Sequence, residues 1–188
     1  MRSLRKAFSI INRAAFVLPA YAADTSLDSP LPIGFGYSDM KPSAVKALLE
    51  WLEIGPGDKT LEIGSDSGWM TAILAYMTTP QMVYAVAQTP RLVSIAEQNC
   101  AAQGIHNAAF FAANDDLGLP AFAPYDRIIV NTDNDTVPKE LIAQLSIGGK
   151  MIISVRGTIL EVIKPATDRL DITPHRRGNS LVPQFGPA

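Results

Sequence analysis

Between residues 60 and 155 the chain repeatedly switches its hydrophobic period. Short apolar runs at 60–63, 82–87, 108–112, 126–131 and 150–155 read as strands. Between them, apolar residues recur at helical spacing over 69 to about 79, 90–103 and 138–145. A further helix opens at Pro42, whose fixed φ suits a first turn, and runs to about Ile54 with Val45, Leu48, Leu49 and Leu52 as its stripe. The run Ile128-Ile129-Val130 is unbroken, as in a parallel strand covered on both faces. Such alternation predicts an α/β fold with a mostly parallel sheet and helices on both faces. In these sheets ligands bind beyond the carboxyl ends of the strands, so the segments to inspect are 64–69, 87–89, 113–118 and 131–136.

The first of these segments is the most suggestive. Leu61-Glu62-Ile63-Gly64-Ser65-Asp66-Ser67-Gly68-Trp69 reads as strand, glycine turn and helix start, with Trp69, Ile73, Leu74 and Met77 on one helical face. A helix start offers free N–H groups, and glycine lets a polar ligand approach the main chain. The spacing is G-x-x-x-G, so the G-x-G-x-x-G dinucleotide fingerprint is not met, and an ordinary strand-to-helix connection would read the same way.

Composition narrows the classes. At 188 residues the chain suits one domain, 1–188, with an N-terminal helix and loop (1–41), a core (42–157) and a C-terminal edge (158–188). A net charge of −2 gives no support for a nucleic-acid surface. No apolar run is long enough to span a membrane. One cysteine, Cys100, excludes an internal disulfide and a cysteine-rich zinc site; with His106 and His175 as the only histidines, no metal is expected. Cys100 fits a helix core stripe, His106 reads as solvent-facing, and the basic run Arg176-Arg177 is too short to imply an acidic partner.

At the N-terminus, Leu4, Phe8, Ile11, Ala15 and Leu18 fall on one helical stripe, and no acid precedes Asp24. Basic residues, an apolar stretch and Ala20-Tyr21-Ala22 also match a targeting peptide, although Asn12 and Arg13 interrupt the apolar part. The preferred reading is an amphipathic helix packed on a cytoplasmic domain; the alternative is an organellar transit peptide. Residues 24–42 read as loop. After Gly157, Ile159 to Ile163 alternate like a strand, which suggests a closing antiparallel edge.

Several segments together resemble the protein-L-isoaspartate O-methyltransferases. They are Leu31-Pro32-Ile33-Gly34 with Gly36, Lys59-Thr60-Leu61-Glu62-Ile63-Gly64 with Ser67-Gly68, Leu117-Gly118-Leu119-Pro120, Ala123-Pro124-Tyr125-Asp126, Val137-Pro138, Gln144-Leu145 and Gly148-Gly149. Arg13, Phe16-Val17 and Asp28 match the family's approach to its Pro-Ile-Gly loop. The resemblance implies a Rossmann-like fold, S-adenosylmethionine (SAM) as cofactor and a protein or peptide carboxylate as methyl acceptor. It implies Ser38 at the acceptor, and Glu62, Gly64, Ser65, Gly68, Gln88, Asn114 and Asp115 at the cofactor.

The chain departs from the family where chemistry is done. Met40 stands in place of the loop serine beside the isoaspartyl carboxylate, and a thioether cannot donate a hydrogen bond. Ser38 keeps a hydroxyl nearby, and Asp39 is expected to repel an anionic substrate. Ala87 replaces the acid that would accept the ribose hydroxyls, with Gln88 as a neutral substitute if the strand shifts register. Ala113-Asn114-Asp115 replaces Gly-Asp-Gly, and Asp66 replaces the middle glycine of the turn, where its side chain would crowd the methionine end of SAM. Each change costs on the order of 1–3 kcal/mol if it strands a buried partner. The first expectation is therefore a divergent SAM-dependent methyltransferase whose acceptor may differ. The substitutions at Met40, Ala87, Asp66 and Asn114 favour an alternative, an inactive relative kept for binding or assembly. A dinucleotide oxidoreductase is disfavoured by the missing fingerprint and the missing acid at 87.

Overall fold

The computed structural model describes residues 3–175. In chain order the elements are α1 (Leu4–Ile10), β1 (Pro32–Gly34), β2 (Tyr37–Ser38), α2 (Pro42–Leu52), β3 (Thr60–Ile63), α3 (Trp69–Thr78), β4 (Val83–Ala87), α4 (Pro90–Ala102), β5 (Ala108–Ala112), β6 (Tyr125–Asn134), α5 (Lys139–Gln144), β7 (Leu145–Val155), β8 (Thr158–Ala166) and β9 (Arg169–Pro174). Strands β3 to β9 form one sheet in the order β5-β4-β3-β6-β7-β8-β9. It is parallel through β7, and β8 and β9 close it antiparallel, as the alternation after Gly157 suggests. The run Arg176-Arg177 lies outside the described residues.

The central strands are buried on both faces, and their side chains alternate between two clusters. Ile129 and Ile152 join Ala44, Leu48, Ile73 and Leu74 under α2 and α3. Ile128, Val130, Met151 and Ile153 point the other way, to Leu141 of α5 and to Phe122. The second face is covered more thinly, by the short α5 and a 3-10 turn at Pro120–Phe122 inside the predicted loop 114–124. Both edge strands differ from this centre: β5 is half-buried throughout, and β9 exposes Arg169 and Asp171, charges that discourage pairing with another sheet.

Local chemistry sets the helix ends. Thr89 caps α4, its Oγ1 accepting from Leu92 N, and Pro90 occupies the first turn. The N-terminal helix is shorter than its stripe predicts. It stops at Ile10, because the Asn12 side chain accepts from Ala14 N and starts a separate 3-10 turn, Arg13–Ala15. Within α1, Ala7 is buried and the Phe8 ring meets Trp69 edge-on at 5.7 Å, so α1 packs on α3. Loop 24–42 contains the hairpin β1–β2, which packs on the start of α4: Ile33, Ala87 and Leu92 form one small apolar cluster.

The chain order creates one switch point. From β3 it winds outward to β4 and β5, then returns to β6 on the other side of β3. The carboxyl ends of β3 and β6 therefore diverge around a crevice, the place where open α/β sheets hold ligands. Among the described residues, no helix is long and apolar enough to cross a membrane, and no group of three potential ligands could hold a metal ion.

Candidate functional site

The turn after β3 is held from several sides. Gly64 N and Ser65 N both donate to Val86 O of β4, at 2.8 and 3.1 Å. Asn99 Nδ2 of α4 donates to Ser67 O at 3.0 Å. Gly64 and Gly68 have φ of +90° and +87°, and a Cβ at either would crowd Asn131 or Ala96 at 3.1 Å. Asp66 also takes a left-handed backbone, with φ +47°, so the turn survives without its middle glycine.

Glu62 projects from β3 beneath this turn and has no exposed surface. Its Oε2 accepts from Thr71 Oγ1 at 2.6 Å, and Asn131 Nδ2 lies 3.4 Å from Oε1. Burial pushes the Glu62 carboxyl up to about 8, only partly opposed by these two donors. Asn131, at the end of the apolar run of β6, also donates to Gly64 O at 3.1 Å and so bridges the two strands at the switch point. Asp66 lies above them, and its carboxyl is held well above its ordinary range, first by burial and then by Glu62 and Asp39.

These groups line a small cleft open to solvent, with Asp39, Met40, Val45, Gly64, Ser65, Ser67, Trp69 and Met70 completing its walls. Four buried polar atoms on its walls have no hydrogen-bond partner: Ser65 Oγ, Ser67 Oγ, Trp69 Nε1 and Asn131 Oδ1. Native proteins rarely leave such atoms unmatched, so this cluster calls for partners that the protein itself does not supply: water, an ion or a ligand.

Asp39 corrects an expectation. It does not present a bare charge to a substrate. Its carboxylate accepts from Arg13 Nε and Nη2, both at 2.8 Å, and from Leu31 N at 2.7 Å. Arg13 is itself buried; it donates further to Leu27 O and Ser29 O, and its guanidinium sits 5.2 Å over the Trp69 ring. The pair ties the N-terminal segment to the loop that carries Met40, and its charges cancel.

Of the residues assigned from sequence, Glu62, Gly64 and Ser65 meet at the cleft, and Gly68 closes the turn behind it. The other four stand outside its walls. Ser38 is exposed on β2, next to the lining residue Asp39. Gln88, Asn114 and Asp115 are exposed beyond β4 and β5, on the same carboxyl edge of the sheet. Strand β4 keeps its register to Ala87, so Gln88 does not move into the acid's position. Asn114 Oδ1 accepts from Asp116 N within its own turn. Sequence reasoning missed Asn131, Thr71, Ser67, the Arg13–Asp39 pair and the indole N–H of Trp69. Only Asn131 carried a signal, as a polar residue closing an apolar strand. Trp69 packs as expected, and His106 is exposed. Cys100 is buried beneath Gly68, where burial pushes its thiol up to about 12, which keeps it unreactive. His175 stacks on Trp51 and faces Glu161, away from the cleft.

The chain has relatives among known proteins. The sequence profile described as Protein-L-isoaspartate(D-aspartate) O-methyltransferase (PCMT) matches residues 2–174. The Protein-L-isoaspartate O-methyltransferase of Pyrococcus horikoshii is 35% identical over 188 residues, covering 97% of this chain and 84% of its own. That of Myxococcus xanthus is 37% identical, covering 80% of this chain and 70% of its own. A solved protein-L-isoaspartate O-methyltransferase superposes with a TM-score of 0.78 at 24% identity, over 94% of this chain and 62% of that one. A second, a putative enzyme of this type from Plasmodium falciparum in complex with S-adenosyl-L-homocysteine (SAH), gives 0.75 at 20% identity, over 95% and 89%. The structural matches show a shared Rossmann-like methyltransferase fold. With a profile match along most of its length and relatives above 30% identity, the chain belongs to the protein-L-isoaspartate O-methyltransferase family.

Proposed function

We propose that this protein is a SAM-dependent methyltransferase that esterifies the carboxylate of isoaspartyl residues in proteins and peptides. The carrying observation is the set of four unpartnered polar atoms around the cleft at the ends of β3 and β6. Their chemistry fits the amino-acid end of the cofactor. Ser65 Oγ, Ser67 Oγ and Trp69 Nε1 are donors for a carboxylate. Asn131 Oδ1, Glu62 and Asp66 are acceptors for an ammonium. Gly64 lets the turn pack closely on Asn131, whose Cβ would stand 3.1 Å from a Cβ at that position. The exposed Gln88, Asn114 and Asp115 mark the edge along which the nucleoside end would lie. The bound cofactor supplies an activated methyl on a sulfonium.

The acceptor is already an anion, so the protein's own task is to place it and exclude water, not to remove a proton. Ser38, on the hairpin beside the cleft, is assigned the hydrogen bond to the incoming carboxylate. Met40 supplies an apolar wall, and Arg13 cancels the Asp39 charge that would otherwise repel the acceptor. The unpartnered atoms favour ligand binding over a purely assembling role. Incubation with methyl-labelled SAM and an isoaspartyl peptide, or its aspartyl isomer, tests this reading. Base-labile label on the isoaspartyl peptide alone is expected; no label, or equal label on both, would overturn it. Ser38→Ala is expected to lower kcat/KM about tenfold or more with unchanged SAM affinity.

A further inference from the structure

Arg13 reaches three walls of the cleft without lining it. Asn12 ends the first helical stretch and starts the 3-10 turn Arg13–Ala15, which leaves Arg13 only 5% exposed. Its Nε and Nη2 each donate to the Asp39 carboxylate at 2.8 Å, and Nη2 also lies 3.3 Å from Met40 O. Its guanidinium sits 5.2 Å over the Trp69 ring. Asp39 and Met40 follow β2, on the hairpin that carries Ser38, whereas Trp69 opens α3 behind the glycine turn. Asp39 also closes the base of that hairpin: Leu31 N donates to its carboxylate at 2.7 Å, and its own N–H donates to Leu31 O at 2.9 Å. Among the described residues, no hydrogen bond joins residues 37–41 directly to residues 64–71. The apolar cluster that Met40 and Trp69 share is non-directional. The Arg13 fork, held at once by a carboxylate and a ring face, is the directional link. Charge balance for Asp39 asks only for a cation; this paired and stacked geometry uses what distinguishes arginine from lysine.

We infer that Arg13 is a positioning residue for methyl transfer: it fixes the acceptor loop in register with the cofactor wall of the cleft. The inference rests on the reading proposed above, in which Trp69 serves the cofactor and the segment from Ser38 to Met40 serves the acceptor. In the transfer, a carboxylate oxygen of the acceptor bonds to the methyl carbon as the carbon–sulfur bond breaks, and that bond's electron pair stays on sulfur. Oxygen, carbon and sulfur must fall in line at the moment of attack. A misplacement of about 1 Å in such geometry costs on the order of a hundredfold in rate. The cofactor side keeps Ser65, Ser67 and Asn131, and the acceptor side keeps Ser38, whatever occupies position 13. Arg13 therefore governs the approach of the two partners and not the hold on either.

The test is steady-state kinetics of the full chain with SAM and an isoaspartyl peptide, beside calorimetric titration with SAH and thermal unfolding. Arg13→Lys keeps the charge and loses the fork. Arg13→Met/Asp39→Leu removes both charges together, so neither is left buried alone. Both variants are expected to lower kcat about thirtyfold or more, with the SAH Kd and the peptide KM each changed less than about threefold. Asn107→Ala is the stability control, because Asn107 Nδ2 ties Ala75 O and Gln81 O at the opposite, amino end of the strands, at 2.9 and 2.8 Å. It is expected to lower the Tm while leaving kcat within about twofold. Wild-type kcat in either Arg13 variant, a loss carried mainly by Kd or KM, or an equal kcat loss in Asn107→Ala would overturn the inference alone. No methyl transfer by the wild type would overturn the proposed activity and this inference with it.

Discussion

Glu62 holds its proton up to about 8 because it is fully buried with only Thr71 and Asn131 to meet it. In the unfolded chain it ionises near its ordinary value of 4.5. Between those values the unfolded state has lost a proton that the folded state keeps, so the stability of the ligand-free protein falls as pH rises through this window. Asp66 acts in the same direction. Glu62→Gln is therefore expected to flatten the profile and raise the Tm at pH 8 by about 3 °C or more in thermal unfolding. A cationic ligand reverses the sign, because it stabilises the carboxylate; SAM affinity should strengthen from pH 6 to pH 8 in the wild type and rise less steeply in Glu62→Gln, which keeps Asp66 but has one titrating carboxyl fewer. Arg13→Ala leaves Asp39 buried and uncompensated, at a cost of about 3–5 kcal/mol in denaturant unfolding. The double variant Arg13→Ala/Asp39→Ala should be less damaged than the sum, which measures the coupling. Glu62 was legible in the sequence because its strand and turn flank it. Asp39 was misread because its partner lies 26 positions upstream, and nothing in either local pattern announces the pair.

At the level of elements, the strands and helices between residues 42 and 157 follow their hydrophobic periods closely, with α2 opening at Pro42 and β3 at Thr60 as predicted. Ends were less legible: β6 and β7 run longer than their apolar runs, since ladder pairing continues through Asn134 and from Leu145. The N-terminal stripe predicted a helix to Leu18, but a single side-chain bond at Asn12 outweighs the periodicity. Two packing contacts at the site make separable predictions. Gly68→Ala adds a Cβ 3.1 Å from Ala96 Cβ and 3.2 Å from its backbone at a positive φ, so α3 and α4 must part. Its expected cost is about 2–3 kcal/mol in urea unfolding. The hairpin β1–β2 is tied to α4 by the Arg91 guanidinium, 3.6 Å from the Phe35 ring centroid. Arg91→Ala is expected to cost only ~0.5–1 kcal/mol. It should show itself as faster hydrogen exchange confined to residues 31–39, which would mark this hairpin as a locally opening cover.

For the whole molecule, the sheet order decides where function can sit. A chain that winds outward from β3 and returns beside it opens one crevice, and every group argued to hold the cofactor's amino-acid end lies there. The alternation of strand and helix pointed only to the carboxyl ends of the strands, through four segments of which 64–69 and 131–136 flank this crevice. What it could not show was which distant side chains converge, because Asn131 reaches Glu62 and Gly64 only once β6 is seated beside β3. The departures at Met40 and Ala87 look different in the fold than in the sequence: both are buried packing residues, Met40 as a cleft wall and Ala87 beneath Ile33 and Leu92. The most direct test is a nitrogen-15 NMR titration of the full chain with SAH. The protein has two tryptophans, and only Trp69 lines the cleft, with its buried indole N–H unpartnered, while Trp51 stacks on His175. The account predicts saturable shifts of the Trp69 indole N–H, the Asn131 side-chain amide and the backbone amides of residues 64–69, with the Trp51 indole unmoved. Shifts that leave Trp69 and Asn131 untouched, or no shifts at millimolar ligand, would contradict it.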